Sequence, residues 1–218
     1  MESGHRSMTD ISLTVTGLSK QFNRRLVFRD ISFSLSQGDS LAITGKNGSG
    51  KSTLVKILCA VLSPSSGGVH YAIGGNSLSM DQVRRRIGLV SPYLQLYDEF
   101  SALENLELLS QIRSNDFAFA ERAEEGLRLV GLWDRRHDFV RTYSSGMKQR
   151  LKYAFALLHR PSILVLDEPT ANLDADGVSI VKRVVGQQKE SAILIVATND
   201  EDEAAWCRQR ILLGNQKQ

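Results

Sequence analysis

The sequence predicts an α/β fold with a mostly parallel central sheet, an N-terminal antiparallel β region and an inserted helical subdomain. Continuous apolar runs indicate buried parallel strands, early apolar–polar alternation indicates half-buried strands, and the middle of the chain has helical spacing. We expect a single domain over residues 10–215, with a core of about 10–91 and 151–215 around a helical subdomain of about 92–150.

The strands follow from these apolar patterns and from the turn residues between them. Strands are predicted at residues 11–15, 31–35, 41–44, 69–73, 87–90, 163–167, 192–197 and 211–213. Helices are predicted at residues 51–62, 101–112, 118–130, 146–159 and 178–185. Ser101 and Glu104 form a capping box that begins the second helix, and residues 64–68 are read as a breaker cluster.

Composition excludes several classes of protein. Apolar residues make up 42% and charged residues 23% of the chain, as in an ordinary globular domain. The net charge of +3 is too small to indicate nucleic-acid binding, and none is expected. Cys59 and Cys207 form no CxxC pair, so neither a disulfide framework nor a zinc site is predicted. Since no apolar stretch approaches about 18 residues, we expect a cytoplasmic chain that is peripheral to any membrane through a partner.

A glycine-rich loop at residues 45–52 matches the pattern G-x-x-x-x-G-K-[ST] between a predicted strand and a predicted helix. Its glycines allow backbone N–H groups to turn toward phosphates, Lys51 supplies positive charge, and the Ser52 hydroxyl suits Mg²⁺. A P-loop NTPase core that binds Mg-ATP is therefore predicted; the alternative is a glycine-rich turn without a ligand. The segment expected to hold the nucleotide comprises Gly45, Lys46, Asn47, Gly48, Ser49, Gly50, Lys51, Ser52 and Thr53.

An acidic pair follows the apolar strand at residues 163–167. Asp167 ends the strand, where a carboxylate can bind Mg²⁺ together with Ser52. Glu168 comes next and can serve as general base for an attacking water. Taken alone, the Asp-Glu-Pro sequence is equally consistent with an acidic helix start, and the glycine loop favours the catalytic interpretation.

The chain resembles the ATP-binding subunits of ABC transporters over nearly its whole length. Residues 143–151 resemble the family's LSGGQ signature, in which Ser144, Ser145 and Gly146 would begin a helix. In the family this element caps the γ-phosphate of ATP held by a second subunit, so the resemblance implies a head-to-tail dimer. Residues 171–174 resemble the D-loop of the same interface. Phe22 stands where the family has an aromatic that stacks on adenine, although an ordinary core or surface phenylalanine is the rival interpretation.

Three positions depart from the family pattern. Asn199 replaces a histidine that contacts the γ-phosphate, and an amide carries no positive charge. Pro92 replaces a glutamine that reaches Mg²⁺; Gln95 is nearby and could substitute, or it is an ordinary loop residue. Ser145 replaces the signature's first glycine, and Met147 its glutamine. We expect ATP binding to persist and hydrolysis to be slower or differently organised.

The resemblance implies a subunit that powers a separate membrane permease by ATP-driven closure of a dimer, with a homodimer expected. The short build resembles exporter-type subunits. One alternative is a soluble ABC ATPase that acts on ribosomes or nucleic acid, although such proteins usually contain two ATPase units or long coiled coils. Another is a nucleotide-gated scaffold with little turnover.

Overall fold

Two sheets form the framework of residues 10–113 and 118–214, the part of the chain that the computed structural model describes. The first sheet is antiparallel, with the strand order β2-β1-β4-β5, and comprises β1 (Ile11–Phe22), β2 (Arg25–Ser36), β4 (Ser66–Ile73) and β5 (Asn76–Ser77). The second is parallel, with the order β6-β7-β8-β3-β9, and comprises β3 (Ser40–Thr44), β6 (Ile87–Val90), β7 (Ile163–Asp167), β8 (Ile193–Thr198) and β9 (Gln209–Leu212). The predicted fold class is confirmed.

The N-terminal β region is a hairpin of two long strands. β1 and β2 have 12 residues each, so the predicted strands at 11–15 and 31–35 are parts of longer ones. Register shifts between Val15 and Gln21 interrupt the alternation of apolar and polar residues, so the sequence pattern predicted only the first half of β1. The turn between the strands places Asn23 and Arg24 at positive φ angles of 43° and 69°.

The parallel sheet supplies the edge on which the candidate site is built. Every residue of β3, β7 and β8 is buried, which explains their apolar runs. β3 lies between β8 and β9. The loop that follows Thr44 therefore begins in the interior of the sheet, at its carboxyl edge, where α/β proteins place ligands.

Seven α-helices lie within the described residues: α1 (Lys51–Leu58), α2 (Met80–Arg84), α3 (Ala102–Arg113), α4 (Phe119–Leu129), α5 (Ser145–Leu157), α6 (Ala175–Gln188) and α7 (Glu201–Ala204). α1 ends four residues before the predicted end because Cys59 and Ala60 leave helical geometry, Ala60 with a φ of 55°. The capping box of α3 is present: Glu104 N–H donates to Ser101 Oγ at 3.2 Å, and Ser101 N–H donates to Glu104 Oε2 at 2.7 Å. The predicted breaker at 64–68 is wrong in part, since β4 begins at Ser66.

Two hydrophobic clusters hold these layers together. One joins the antiparallel sheet, α1 and one face of the parallel sheet; the other joins the opposite face to α3, α4, α5 and α6. The predicted boundary at residue 150 falls inside α5, and the predicted domain end at 215 lies outside the described residues. No helix in the described ranges has the length and apolar character needed to span a membrane.

Candidate functional site

A cleft of about 1200 Å³ opens at the carboxyl edge of the parallel sheet. Lys46 to Thr53 line its floor, so eight of the nine residues in the predicted phosphate-loop segment 45–53 face one space. Gly45 lies behind them with a φ of 146°, and a Cβ there would be 2.5 Å from the Leu213 carbonyl oxygen. Gly50, with a φ of 101°, would place a Cβ 2.5 Å from Val27 Cγ1. Glycine is therefore required at both ends of the loop.

Lys51 lies across the loop, at the N-terminus of α1. Its side chain is buried, and Nζ donates to the Gly45 carbonyl oxygen at 2.8 Å and to that of Lys46 at 3.4 Å. Glu168 Oε1 is 4.0 Å away. The ammonium is thus held over the inner surface of the loop, where the helix dipole adds partial positive charge.

Asp167 ends β7 beneath the cleft and is 1% exposed. Burial raises the pKa of its carboxyl, while the neighbouring Ser52 and Ser91 hydroxyls and the charge of Lys51 lower it. Its Oδ1 is buried without a hydrogen-bond partner in the described part of the chain. A carboxylate oxygen with no other partner, beside a serine hydroxyl, is a donor set that fits Mg²⁺.

Glu168 follows at the cleft wall, with a φ of 54° that few non-glycine residues adopt. Its N–H donates to the Ala197 carbonyl oxygen at 2.9 Å, which ties this conformation to the neighbouring strand. Burial raises the pKa of the Glu168 carboxyl, and Lys51 opposes that rise. Because its pKa is raised, this carboxylate is a stronger proton acceptor than one in water.

The signature segment lies at the start of α5, away from this cleft. Ser144 is the N-cap residue, and its Oγ accepts from the Met147 N–H at 3.2 Å. Gly146 approaches the D-loop segment, since a Cβ there would be 3.2 Å from the Asn172 carbonyl oxygen. Ser144, Ser145 and Gly146 are all absent from the cleft lining. Within one chain, the structure therefore does not bring the signature and the phosphate loop together.

Comparison with known proteins decides the family. The ABC transporter family model matches residues 28–171. The chain belongs to the ABC transporter family of ATPases. The match includes the phosphate loop, the signature and the acidic pair; Phe22 and Asn199 lie outside it.

Individual ABC transporter relatives match most of this chain. The linearmycin resistance ATP-binding protein LnrL of Bacillus subtilis is 31% identical over 190 residues, 86% of this chain and 60% of that protein. The lipoprotein-releasing system ATP-binding protein LolD 1 of Caulobacter vibrioides is 33% identical over 224 residues, 95% of this chain and 94% of that protein. The chain thus spans most of LolD 1, but only 55–60% of LnrL and of two further ATP-binding proteins of Bacillus subtilis, YdbJ and YhcH.

A solved ABC cassette has the same fold. The dimeric structure of the ATP-binding cassette MJ0796, in a post-hydrolysis state bound to ADP and Pi, matches this structure with a TM-score of 0.80. Sequence identity is 25%, and the match covers 92% of this chain and 94% of that one. This ABC transporter fold is therefore one that solved structures show as a dimer.

Two of the positions expected from the sequence to depart from the family pattern lie close to the cleft. Asn199 contacts the phosphate loop, with its Nδ2 donating to Asn47 Oδ1 at 3.3 Å, but it is absent from the cleft lining. Pro92 lines the cleft together with Tyr93. Gln95 is exposed and does not line it, so the structure does not place Gln95 where the missing glutamine would act.

The mouth of the cleft contains one predicted residue and two that sequence reasoning missed. Phe22 lines the mouth and is 46% exposed, with Lys20 Nζ 4.7 Å above its ring. Arg24 and Arg25 line the same mouth because the hairpin turn carries them there. No sequence motif indicated them, since the turn contains neither glycine nor proline.

Proposed function

We propose that the chain is the energy-coupling subunit of an ABC transporter, which binds Mg-ATP, hydrolyses it and drives a separate membrane permease. The observation that carries the proposal is the meeting of the phosphate loop, Lys51 and Glu168 in one cleft, with Asp167 directly beneath it. Membership of the ABC transporter family supports ATP as the nucleotide.

Binding would use charge and dipoles already oriented at the loop. The N–H groups of residues 46–51 and the N-terminus of α1 would bind the phosphates. Lys51 would exchange its bonds to the Gly45 and Lys46 carbonyl oxygens for phosphate oxygens, at little conformational cost because its stem is already buried. Phe22 would stack on the adenine at the mouth of the cleft.

Ser52 and Asp167 would hold the metal. Bound Mg²⁺ supplies positive charge that offsets the charge developing on the phosphate oxygens. The unpartnered Asp167 Oδ1 supports this assignment, since a buried acceptor without a partner costs free energy unless a ligand satisfies it.

Glu168 would act as the general base. Its carboxylate would accept a proton from water as the water oxygen bonds to the γ-phosphorus and the bond from that phosphorus to the β–γ bridging oxygen breaks, releasing ADP. The contact with Lys51 at 4.0 Å keeps the carboxylate directed at the phosphate end of the cleft.

A second subunit would complete the site. Ser144, Ser145 and Gly146 lie outside the cleft of their own chain, and the N-terminus of α5 presents N–H groups suited to an anion. A homodimer would place these residues over the γ-phosphate bound by the partner, and the dimeric MJ0796 structure with ADP and Pi supports this arrangement. Docking to the permease would hold the dimer at the cytoplasmic face of the membrane.

Nucleotide binding and phosphate release by the purified chain test the proposal. We expect Lys51→Ala to weaken ATP binding at least about tenfold, the loss of one charge-assisted contact. Lys182→Ala, on the exposed face of α6, is the matched lysine control and should bind normally. Glu168→Gln should bind ATP but release phosphate at least about 100-fold more slowly, the usual contribution of a general base. A wild-type chain that fails to bind ATP would contradict the proposal.

Pro92 and Asn199 favour a second candidate, a scaffold that binds ATP with little turnover. Neither side chain supplies a charge, Pro92 has no group that can bind a metal, and Asn199 is absent from the cleft lining. Phosphate release by the wild type separates the two functions: a rate no higher than that of Glu168→Gln identifies the scaffold. If Asn199 limits turnover, Asn199→His should raise it, and an unchanged or lower rate would refute that explanation.

A further inference from the structure

Ser91 lies beside Asp167 at the carboxyl edge of the parallel sheet. Val90 of β6 pairs with Leu166 of β7, so Ser91 and Asp167 continue these two adjacent strands side by side. Ser91 is 4% exposed, although the strand before it is apolar. A buried hydroxyl at this point therefore needs polar partners.

The hydrogen bonds around Ser91 fix the direction of its hydroxyl. The Tyr93 N–H donates to Ser91 Oγ at 3.3 Å, so this oxygen acts as an acceptor toward the loop. A serine hydroxyl has one hydrogen to donate, and Ser91 is among the neighbouring groups that lower the pKa of the Asp167 carboxyl. The register of β6 and β7 makes Asp167 the neighbouring buried acceptor for this hydrogen.

Lys152 holds the backbone of Ser91 in this position. Lys152 belongs to α5 and is half-buried. Its Nζ donates to the Ser91 carbonyl oxygen at 3.1 Å. The residue beside Asp167 is therefore fixed from both sides, by the loop that follows it and by the helix that begins at the signature.

We propose that Ser91 is a positioning residue for the metal site, whose hydroxyl orients the Asp167 carboxylate so that Oδ1 faces Mg²⁺. The inference rests on the proposed Mg-ATP function. It assigns to the end of β6 a role at the metal even though Pro92, the next residue, has no side-chain ligand. Hydrogen bonds to a ligating carboxylate commonly change metal affinity 10- to 100-fold.

The test compares ATP affinity with Mg²⁺ and with EDTA, measured by calorimetry on the full chain. The dissociation constant with EDTA divided by that with Mg²⁺ gives a ratio that reports how much the metal contributes to ATP binding. We expect Ser91→Ala to keep the metal-free affinity within about twofold and to reduce the ratio about tenfold, in line with other residues that orient metal ligands. Ser91→Thr, which retains the hydroxyl, should restore most of the ratio. If Ser91→Ala does not fold, Ser91→Cys, a weak donor of similar size, should show the same reduction.

Ser40 provides the matched control. It is also a buried serine on the parallel sheet, and its Oγ accepts from the Arg208 N–H at 3.0 Å at the opposite, amino edge. Ser40→Ala should leave the ratio unchanged.

The outcomes separate this inference from the function on which it rests. Asp167→Asn should bring the ratio to one. A ratio for Ser91→Ala within about twofold of the wild-type value would overturn the role of Ser91 alone, since a reduction of at least about 10-fold is expected. Equal weakening with Mg²⁺ and with EDTA would also overturn it, because the effect would then not be on the metal. A wild-type ratio of one would refute the Mg-ATP function and the inference together.

Discussion

Adding one methyl group to Gly50 tests how the phosphate loop is built. Gly50 is the N-cap of α1, with a φ of 101°, and its missing Cβ would be 2.5 Å from Val27 Cγ1 and 3.3 Å from Phe28 Cδ1. Val27 is β-branched and fixed in β2, so it cannot rotate away freely. Gly50→Ala therefore imposes a disfavoured backbone conformation and an overlap together.

Two other glycines separate these effects. Gly48 has a φ of 79° but no atom within 4 Å of its missing Cβ, so Gly48→Ala imposes only the backbone cost of about 1 kcal/mol. Overpacking adds about 1–3 kcal/mol, which brings Gly50→Ala to about 3 kcal/mol. Gly186 lies within α6, also with no atom within 4 Å, and Gly186→Ala should stabilise the chain by about 0.5–1 kcal/mol.

Urea unfolding without nucleotide measures all three variants. The midpoints should fall in the order Gly186→Ala, wild type, Gly48→Ala, Gly50→Ala, with an unchanged dependence of the unfolding free energy on urea. If the unfolding free energies of Gly50→Ala and Gly48→Ala differ by less than about 0.5 kcal/mol, this explanation is refuted, because the overlap with Val27 would then cost less than overpacking usually does.

Three further predictions concern single groups. Burial raises the pKa of the Cys59 and Cys207 thiols to about 12, so the folded chain at pH 8 should react with a thiol reagent about 1000-fold more slowly than the urea-unfolded chain. Rapid labelling of the folded chain would contradict this prediction. Because the folded pKa is raised, the contribution of both thiols to stability is also lost as pH rises above 9. Ser144→Ala removes the N-cap bond to the Met147 N–H and should lower the free energy of unfolding by about 1 kcal/mol in a urea titration, whereas Ser144→Asp should retain most of it. Asp167→Asn should raise the unfolding free energy of the nucleotide-free chain at pH 7 by ~1 kcal/mol, because burial penalises the ionised carboxylate, and a loss of stability would show that its hydrogen bonds outweigh burial.

Sequence patterns predicted the site where local rules decide the structure. The strand before Gly45, the loop itself and the start of α1 at Lys51 all lie where the phosphate-loop pattern placed them. The predicted helix start at the signature segment was also correct, because the Ser144 side chain satisfies a helix N–H group from within one short segment. Asp167 and Glu168 could be placed since an apolar strand ends at that point.

The missed features depend on contacts between distant segments, or on weak signals. Ala60 adopts a positive φ and ends α1 early, with no glycine or proline to mark the change. α2 was missed even though Ser79 and Gln82 form a capping box, a signal that could have found it. Ser91 could not be assigned to the metal site because only the pairing of β6 with β7 brings it beside Asp167.

The position of β9 constrains when this site can form during synthesis. The Thr44 hydroxyl donates to the Ile211 carbonyl oxygen, 167 residues further along the chain, and the Leu213 carbonyl oxygen lies directly behind Gly45. A nascent chain on the ribosome thus emerges with its glycine loop long before the strand that supports it. Since such non-local pairings form slowly, nucleotide capture should wait until β9 has emerged and paired with β3, and cellular ATP should not help the earlier segments to fold.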